Sequence, residues 1–235
     1  MIQLIDFFHD KEVNKVLDVG TGSGDFVKIL QNVFPEAAIE GVDPNKESLA
    51  KAENAYPDVI FSEMVAENLL FEKDTFDVAS LSMALHHLPK VKKGLKELKR
   101  VVKSDGWIII NELFSDNLNP AQEVHKQFHH FRSYIDRLNG ISHRETFRKD
   151  EILQMIREAG ISVQFYFDDT KEVNLVTEDG ELELRMNKMK EMLKTIKGRP
   201  EYDMLKPQIE EFRNNALKYG FQPATRLVVV GKKQE

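Results

Sequence analysis

The chain has 235 residues, a formal net charge of −6 and no cysteine. This length suits a globular domain with insertions, and the lack of cysteine excludes a disulfide scaffold, a thiolate metal site and a cysteine nucleophile. The mildly acidic charge argues against nucleic-acid partners, which need a dominant positive field. Because the sequence shows neither a signal peptide nor the roughly 20 apolar residues of a membrane span, we expect a cytoplasmic protein with no membrane partner.

Short apolar runs alternate with helical patterns through the first two thirds of the chain. This alternation predicts an α/β fold, with a doubly wound parallel sheet and helices on both faces. The predicted strands are 15–19, 38–42, 59–61, 76–82 and 106–110. The helices expected between them are 24–33, 45–54 and 91–102.

The last third of the chain carries two further amphipathic patterns. Apolar residues recur every three or four positions from Val124 to Leu138 and again from Leu182 to Ile196. They predict helical insertions at 117–140 and 181–220 within a single domain that covers 1–235. The remaining elements expected here are a helix at 146–160, a helix around 209–217, and strands at 161–167 and 226–230.

A glycine-rich turn follows the first predicted strand. Residues 16–24 read V-L-D-V-G-T-G-S-G, with glycines at Gly20, Gly22 and Gly24. Glycines permit a tight turn and the close approach of a ligand, and the N-terminus of the following helix offers unpaired N–H groups. Asp43 ends the next strand, where a carboxylate binds ribose hydroxyls in nucleotide-binding α/β folds.

Asp25 distinguishes between two classes of nucleoside cofactor. It stands where the dinucleotide fingerprint has its third glycine. A carboxylate at this helix start would oppose a pyrophosphate, but not a sulfonium cofactor that has no phosphate. A nicotinamide oxidoreductase is therefore disfavoured, and a glycine-rich turn without any ligand remains the structural alternative.

Further motifs follow in a fixed order along the chain. They are L-D-V-G-T-G-S-G at 17–24, G-V-D-P-N at 41–45, A-E-N-L-L-F at 66–71, F-D-V-A-S at 76–80, M-A-L-H-H-L at 83–88 and S-D-G-W-I-I-I-N-E at 104–112. In order and spacing they resemble the class I S-adenosylmethionine-dependent methyltransferases, and within them the small-molecule enzymes that methylate quinone precursors. The resemblance implies a Rossmann-like, seven-stranded, mostly parallel sheet whose last strand is antiparallel.

The resemblance also implies which residues bind S-adenosylmethionine. Asp18 and the glycine loop would hold the methionine end, Asp43 the ribose, and Pro44 and Asn45 would lie beside the adenine. Val65 stands where the family has an Asp that receives the adenine amino group, so Glu67 is the candidate replacement. The full set of candidate cofactor-binding residues is Asp18, Gly20, Thr21, Gly22, Gly24, Asp43, Pro44, Ala66, Glu67 and Ser82.

Candidate acid–base residues lie at the carboxyl edge of the predicted sheet, where such folds bind ligands. His86 and His87 follow strand four, and Glu112 follows strand five. An imidazole titrates near neutral pH and suits a general base for a hydroxyl or amine acceptor, while Glu112 could accept a proton or orient the acceptor. The structural alternatives are imidazoles that satisfy local backbone groups and a solvated strand end.

Four more histidines cluster in the sequence between positions 125 and 143. On a helix, His125 and His129 share a face with Asp136, a spacing that suits a divalent metal, an acceptor pocket or a plain polar face. His130 and His143 join the candidate catalytic residues. No metal is expected, because methyl transfer does not generally require one.

Taken together, these features predict an enzyme that transfers a methyl group from S-adenosylmethionine to an O, N or C atom of a small molecule by in-line displacement. The insertions 117–140 and 181–220 are candidates for a lid over the acceptor. The expected partners are the small acceptor and at most a second copy of the chain, as a monomer or homodimer. A protein or RNA methyltransferase and a non-catalytic cofactor-binding regulatory module remain alternatives.

Overall fold

The computed structural model describes residues 1–177 and 180–233. Its described residues divide into two compact units. The first, here called the sheet unit, contains Met1–Glu112, Asp150–Asp169 and the described residues from Leu227 onward. The second, here called the helical unit, contains the described parts of Leu113–Lys149 and Thr170–Arg226.

A seven-stranded sheet forms the centre of the sheet unit. Its strands are β1 (Lys15–Val19), β2 (Ala38–Asp43), β3 (Ile60–Glu63), β4 (Phe76–Ser82), β5 (Val102–Leu113), β6 (Ile161–Asp169) and β7 (Arg226–Lys233). They lie in the order β3-β2-β1-β4-β5-β7-β6, and the pairs β1–β2, β1–β4, β2–β3 and β4–β5 are parallel. The predicted fold, a seven-stranded and mostly parallel α/β sheet, is confirmed.

The strand order identifies where such a sheet binds a ligand. From β1 the chain runs outward through β2 to β3 and then returns to place β4 on the other side of β1. This reversal makes a topological switch point between β1 and β4. Ligands of open α/β sheets bind outside the carboxyl ends of the strands at such a point.

Eight α-helices are formed by the described residues. They are α1 (Ile2–Phe8), α2 (Val27–Val33), α3 (Lys46–Ala55), α4 (Val91–Val101), α5 (Pro120–Leu138), α6 (Lys149–Glu158), α7 (Glu181–Lys194) and α8 (Pro200–Tyr219). None of these helices combines the length and the apolar character that crossing a membrane requires.

Apolar side chains of helices and strands form the core of the sheet unit. Leu4 and Phe8 of α1 and Val27 and Leu30 of α2 are buried in one cluster with strand residues such as Val78. On α4 the buried positions include Leu95 and Leu98, as its helical periodicity predicts. Burial of these faces holds the strands, and so fixes the edge at which their carboxyl ends meet.

The helical unit has an apolar core of its own. The predicted stripe on α5, represented by Phe128 and Phe131, packs with Met189 of α7 and Phe212 of α8. The two amphipathic patterns of the last third therefore meet in one cluster.

Three predicted elements have clearly different bounds in the structure, and one helix was missed. The helix expected at 24–33 begins only at Val27, after a turn, and the helix expected around 209–217 spans all of α8 with Pro200 in its first turn. The strand expected at 106–110 is the longer β5, so Glu112 lies inside a strand rather than after it. The helix α1 was not predicted.

Candidate active site

The turn after β1 has a backbone conformation that favours glycine. Gly20, Gly22 and Gly24 have φ angles of +69°, +55° and +87°. A Cβ at Gly20 would lie 2.6 Å from the Cβ of Ala84, whereas a Cβ at Gly22 would meet nothing within 4 Å. Gly20 is therefore required by close packing, and Gly22 by its φ angle next to open space.

Asp43 is fixed against this turn by two backbone hydrogen bonds. The Gly22 amide donates to Oδ2 at 3.0 Å, and the Asn45 amide donates to Oδ1 at 2.8 Å. Asn45 in turn caps α3 by accepting a hydrogen bond from the Ser48 amide at 3.0 Å. Each carboxylate oxygen of Asp43 has a further acceptor position, as the hydroxyls of a ribose would require.

Asp18 lies beneath the turn and is fully buried, with 0% of its surface exposed. The Ser80 hydroxyl donates to Oδ1 at 2.7 Å. Burial raises the pKa of Asp18 to about 6, against the lowering effect of the Ser80 and Thr21 hydroxyls. Within the described chain, Asp18 Oδ2 and the Thr21 hydroxyl make no hydrogen bond of good geometry, although the two residues lie close enough to interact.

These features fit the cofactor that the resemblance implies. A buried carboxyl oxygen and a buried hydroxyl that lack a hydrogen bond of good geometry can receive the polar methionine end, since a buried polar group gains most from a hydrogen bond. The open space at Gly22 and the carboxylate of Asp43 suit the ribose. The residues present are therefore compatible with S-adenosylmethionine at the carboxyl ends of β1 and β2.

The candidates on the adenine side have additional structural roles. Glu67 accepts a hydrogen bond from the Lys90 amide at 3.0 Å, so its carboxylate also ties the 64–71 segment to the start of α4. Ala66 is buried beside it, while Val65, at the position of the family's Asp, is exposed.

Asn111 is a candidate site residue that the sequence analysis did not single out. It pairs with Ser82 across β4 and β5, and its Nδ2 donates to the Ser82 hydroxyl at 2.8 Å. Its Oδ1 is buried and has no hydrogen-bond partner in the part of the chain described. Met83, which follows Ser82, has a φ of +52° and donates from its amide to the Asn111 carbonyl at 2.7 Å. The signal that could have found Asn111 is its place beside Glu112 at the end of a buried strand.

His86 and Glu112 form a buried pair at the carboxyl ends of β4 and β5. His86 Nδ1 lies 2.8 Å from Glu112 Oε1, and the His86 amide donates to Oε2 at 3.3 Å. Only 3% of His86 and 0% of Glu112 is exposed, so the alternative of a solvated strand end is wrong for Glu112. The ring of His87 lies 4.3 Å from that of His86.

The histidines of the helical unit are arranged differently from the predicted helix face. His143, in the loop after α5, lies with Nδ1 2.6 Å from Asp136 Oδ2 and with Nε2 3.3 Å from His129 Nε2. His130 instead contacts the Thr146 hydroxyl at 3.2 Å. His125 packs its ring on Phe221, and burial lowers its pKa to about 4.

Comparison with known proteins identifies the family. Residues 1–164 match the model of the methyltransferase domain family. The demethylmenaquinone methyltransferase of Chlorobaculum tepidum is 28% identical over 177 residues, which are 69% of this chain and 71% of that protein.

Two solved structures share the fold. The YcgJ protein of Bacillus subtilis superposes with a TM-score of 0.65 at 19% identity, over 99% of this chain and 97% of that one. A structure named as SAM-dependent methyltransferases from Methanosarcina mazei superposes with a TM-score of 0.59 at 16% identity, over 97% of this chain and 96% of that one. Fold, motifs and family match agree with the resemblance read from the sequence, and the chain belongs to the methyltransferase domain family, as an S-adenosylmethionine-dependent enzyme.

Proposed function

We propose that the protein methylates a small, partly apolar molecule, and that His86 and Glu112 handle the proton of the acceptor. The observation that carries this proposal is the 2.8 Å contact between these two buried side chains at the carboxyl edge of the sheet. A base with 3% of its surface exposed is within reach of a small molecule rather than of a folded macromolecule. The relative named as a demethylmenaquinone methyltransferase acts on a molecule of this class.

The cofactor-binding residues are proposed as follows. Asp18, Thr21 and the glycine turn receive the methionine end, and Asp43 receives the ribose hydroxyls. Pro44, Asn45, Ala66 and Glu67 lie on the adenine side, and Ser82 with Asn111 closes the methyl-transfer end. When bound, S-adenosylmethionine supplies a methyl group that its sulfonium already activates.

Glu112 is proposed to orient His86 and to stabilise its protonated form. With Nδ1 donating to the Glu112 carboxylate, the basic lone pair of the imidazole is on Nε2. This tautomer can take a proton from a hydroxyl, an amine or an acidic carbon of the acceptor. The negative charge of Glu112 then stabilises the imidazolium, as the carboxylate of a catalytic triad does.

The helical unit is proposed to determine which acceptor is methylated. It contains both predicted insertions, 117–140 and 181–220, and its helices share one apolar core. The chain enters it at the end of β5, directly after Glu112. Loops that follow the carboxyl ends of strands carry substrate specificity in many α/β enzymes.

Replacing Asp43 tests the cofactor site. We expect Asp43→Ala to lose most of the affinity for S-adenosylmethionine, by at least tenfold, because two hydroxyl contacts and the tie to Gly22 disappear. Isothermal titration calorimetry measures this affinity directly.

Glu40→Ala is the matched control, since it removes a carboxylate from the same strand. Glu40 is paired with Lys15 at 3.3 Å, a surface ion pair that contributes about 0–1 kcal/mol. Its variant should bind the cofactor as the wild type does. Near-normal binding by Asp43→Ala would refute the ribose assignment.

A further inference from the structure

Two imidazoles and a carboxylate lie together inside the helical unit. His129 is on α5, and His143 is in the loop that follows this helix. The Nε2 atoms of the two histidines are 3.3 Å apart, and His143 Nδ1 is 2.6 Å from Asp136 Oδ2. The loop is held in place by Arg137, which donates to the His143 carbonyl at 3.0 Å.

Asp136 determines the tautomer of His143. Asp136 is also paired with Arg132, whose Nε lies 3.5 Å from Oδ2. An ionised carboxylate only accepts hydrogen bonds, so His143 Nδ1 must carry the proton that it receives. The lone pair of His143 is then on Nε2, the atom nearest to His129. A carboxylate behind a histidine in this manner is the usual second partner of a metal-binding imidazole.

The distance between the two Nε2 atoms fits two ligands of one ion. Tetrahedral coordination with bonds of about 2.0–2.1 Å separates two ligand nitrogens by about 3.3–3.4 Å. The observed 3.3 Å lies in this range. The rings meet at 84°, so face-to-face stacking is not what brings them together.

Both imidazoles are buried. His129 is 8% exposed and His143 is 2% exposed. Burial shields the two imidazoles from bulk water, and an imidazole nitrogen is a preferred ligand of zinc. The chain has no cysteine, so a thiolate site is excluded and nitrogen ligands are the preferred class.

We propose that His129 and His143 bind a divalent transition-metal ion of the zinc class through their Nε2 atoms, with Asp136 orienting His143 from behind. The remaining coordination positions are filled by water or by other donors. This proposal departs from the sequence expectation of no metal, because the loop that returns His143 to α5 could not be read from helical spacing. The ligand pair is His129 with His143, instead of the predicted face of His125, His129 and Asp136.

Titration of the chelator-treated full-length protein with Zn²⁺ tests the proposal. Calorimetry should show saturable binding of one ion per chain. X-ray absorption of the Zn²⁺-loaded wild type should show at least two imidazole nitrogens at about 2.0–2.1 Å. The proposal is overturned if no saturable binding occurs up to a tenfold excess of Zn²⁺, or if the bound ion has no imidazole ligands. The first of these outcomes would mean that the histidines share a proton instead.

Variants assign the ion to this cluster. We expect His129→Ala and His143→Ala each to weaken Zn²⁺ binding at least tenfold, and Asp136→Asn to weaken it by about 10–100-fold. His9→Ala removes an exposed histidine of the sheet unit and should bind Zn²⁺ as the wild type does. Unchanged affinity in the folded His143→Ala and Asp136→Asn proteins would contradict the assignment, whatever the wild type binds.

Discussion

Asp18 links the cofactor site to stability through a single buried carboxyl. Its pKa is raised from 3.8 to about 6 by burial, so folding favours the protonated form. The stabilisation that this form contributes is complete below about pH 4 and is lost as the pH rises through about 6. An ionised Asp18 therefore destabilises the sheet unit at neutral pH, and the cofactor's cationic amino group would offset this.

Asp18→Asn should separate these effects. Asparagine keeps an oxygen for the Ser80 hydroxyl but cannot ionise. At pH 7.5 we expect the free energy of unfolding to rise by about 2–3 kcal/mol relative to the wild type, and at pH 4 to change little. Urea unfolding followed by circular dichroism at both pH values measures the difference. An equal effect at the two pH values would contradict the ionisation argument.

Individual site residues differ in how far sequence could predict them. Gly20 and Asp43 follow from local spacing, because a glycine turn and a strand end have defined places in a parallel sheet. The partnership of His86 and Glu112 could be expected only as proximity, because His86 lies in a short 3-10 helix (Leu85–His87) after β4, and its placement against β5 is not recorded by sequence spacing. The contact between His143 and His129 depends on the path of a loop, which no helical periodicity records.

At the scale of elements, α5 shows how a helix of the helical unit is started. The Asn119 side chain accepts from the Gln122 amide at 2.9 Å, and the Gln122 side chain accepts from the Asn119 amide at 3.1 Å. This reciprocal capping box satisfies two backbone N–H groups, and Pro120 follows at the first helical position.

Removing this cap should have a measurable cost. We expect Asn119→Ala to lower the free energy of unfolding of the helical unit by about 1 kcal/mol. Lys126→Ala, in the next turn, loses only an exposed pair with Glu123 and should change the free energy by less than about 0.5 kcal/mol. Urea denaturation compares the two variants, and an equal loss in both would show that the cap contributes nothing specific.

Most elements could be predicted from periodicity, and the exceptions have physical reasons. The helix α1 has only seven residues and no side-chain cap, so its two buried positions, Leu4 and Phe8, give no detectable period. The strand β5 begins directly after α4, and its first residues are mostly polar, so they give no apolar strand pattern. Gly106 lets this part of β5 lie close to β4, because a Cβ there would lie 2.7 Å from the Asp77 carbonyl of that strand.

At the scale of the whole molecule, each unit is held by its own core. Deleting 181–220 would remove α7 and α8 and expose the apolar face of α5, so its result would mix unfolding with loss of function. A single core substitution distinguishes the roles of the units more sharply.

Phe212→Ala is this substitution, since Phe212 is fully buried within the helical unit. We expect a loss of about 3–5 kcal/mol in the stability of this unit, reduced methyl transfer, and S-adenosylmethionine affinity within twofold of the wild type. Leu217→Ala, at an exposed position of the same helix, should leave stability, methyl transfer and cofactor affinity unchanged. Parallel loss of cofactor affinity and methyl transfer in Phe212→Ala would contradict a separate acceptor role for the helical unit.

The most direct test of the proposed function uses S-adenosylmethionine labelled on its methyl group. The protein is incubated with a cell extract separated into metabolites, RNA and protein, and the label is followed in each fraction. We predict label in the metabolite fraction, with Glu112→Gln at least about 100-fold slower because the charge that stabilises protonated His86 is lost. Label in RNA or protein would contradict the small-molecule acceptor, and cofactor binding without transfer to any fraction would contradict the enzymatic role.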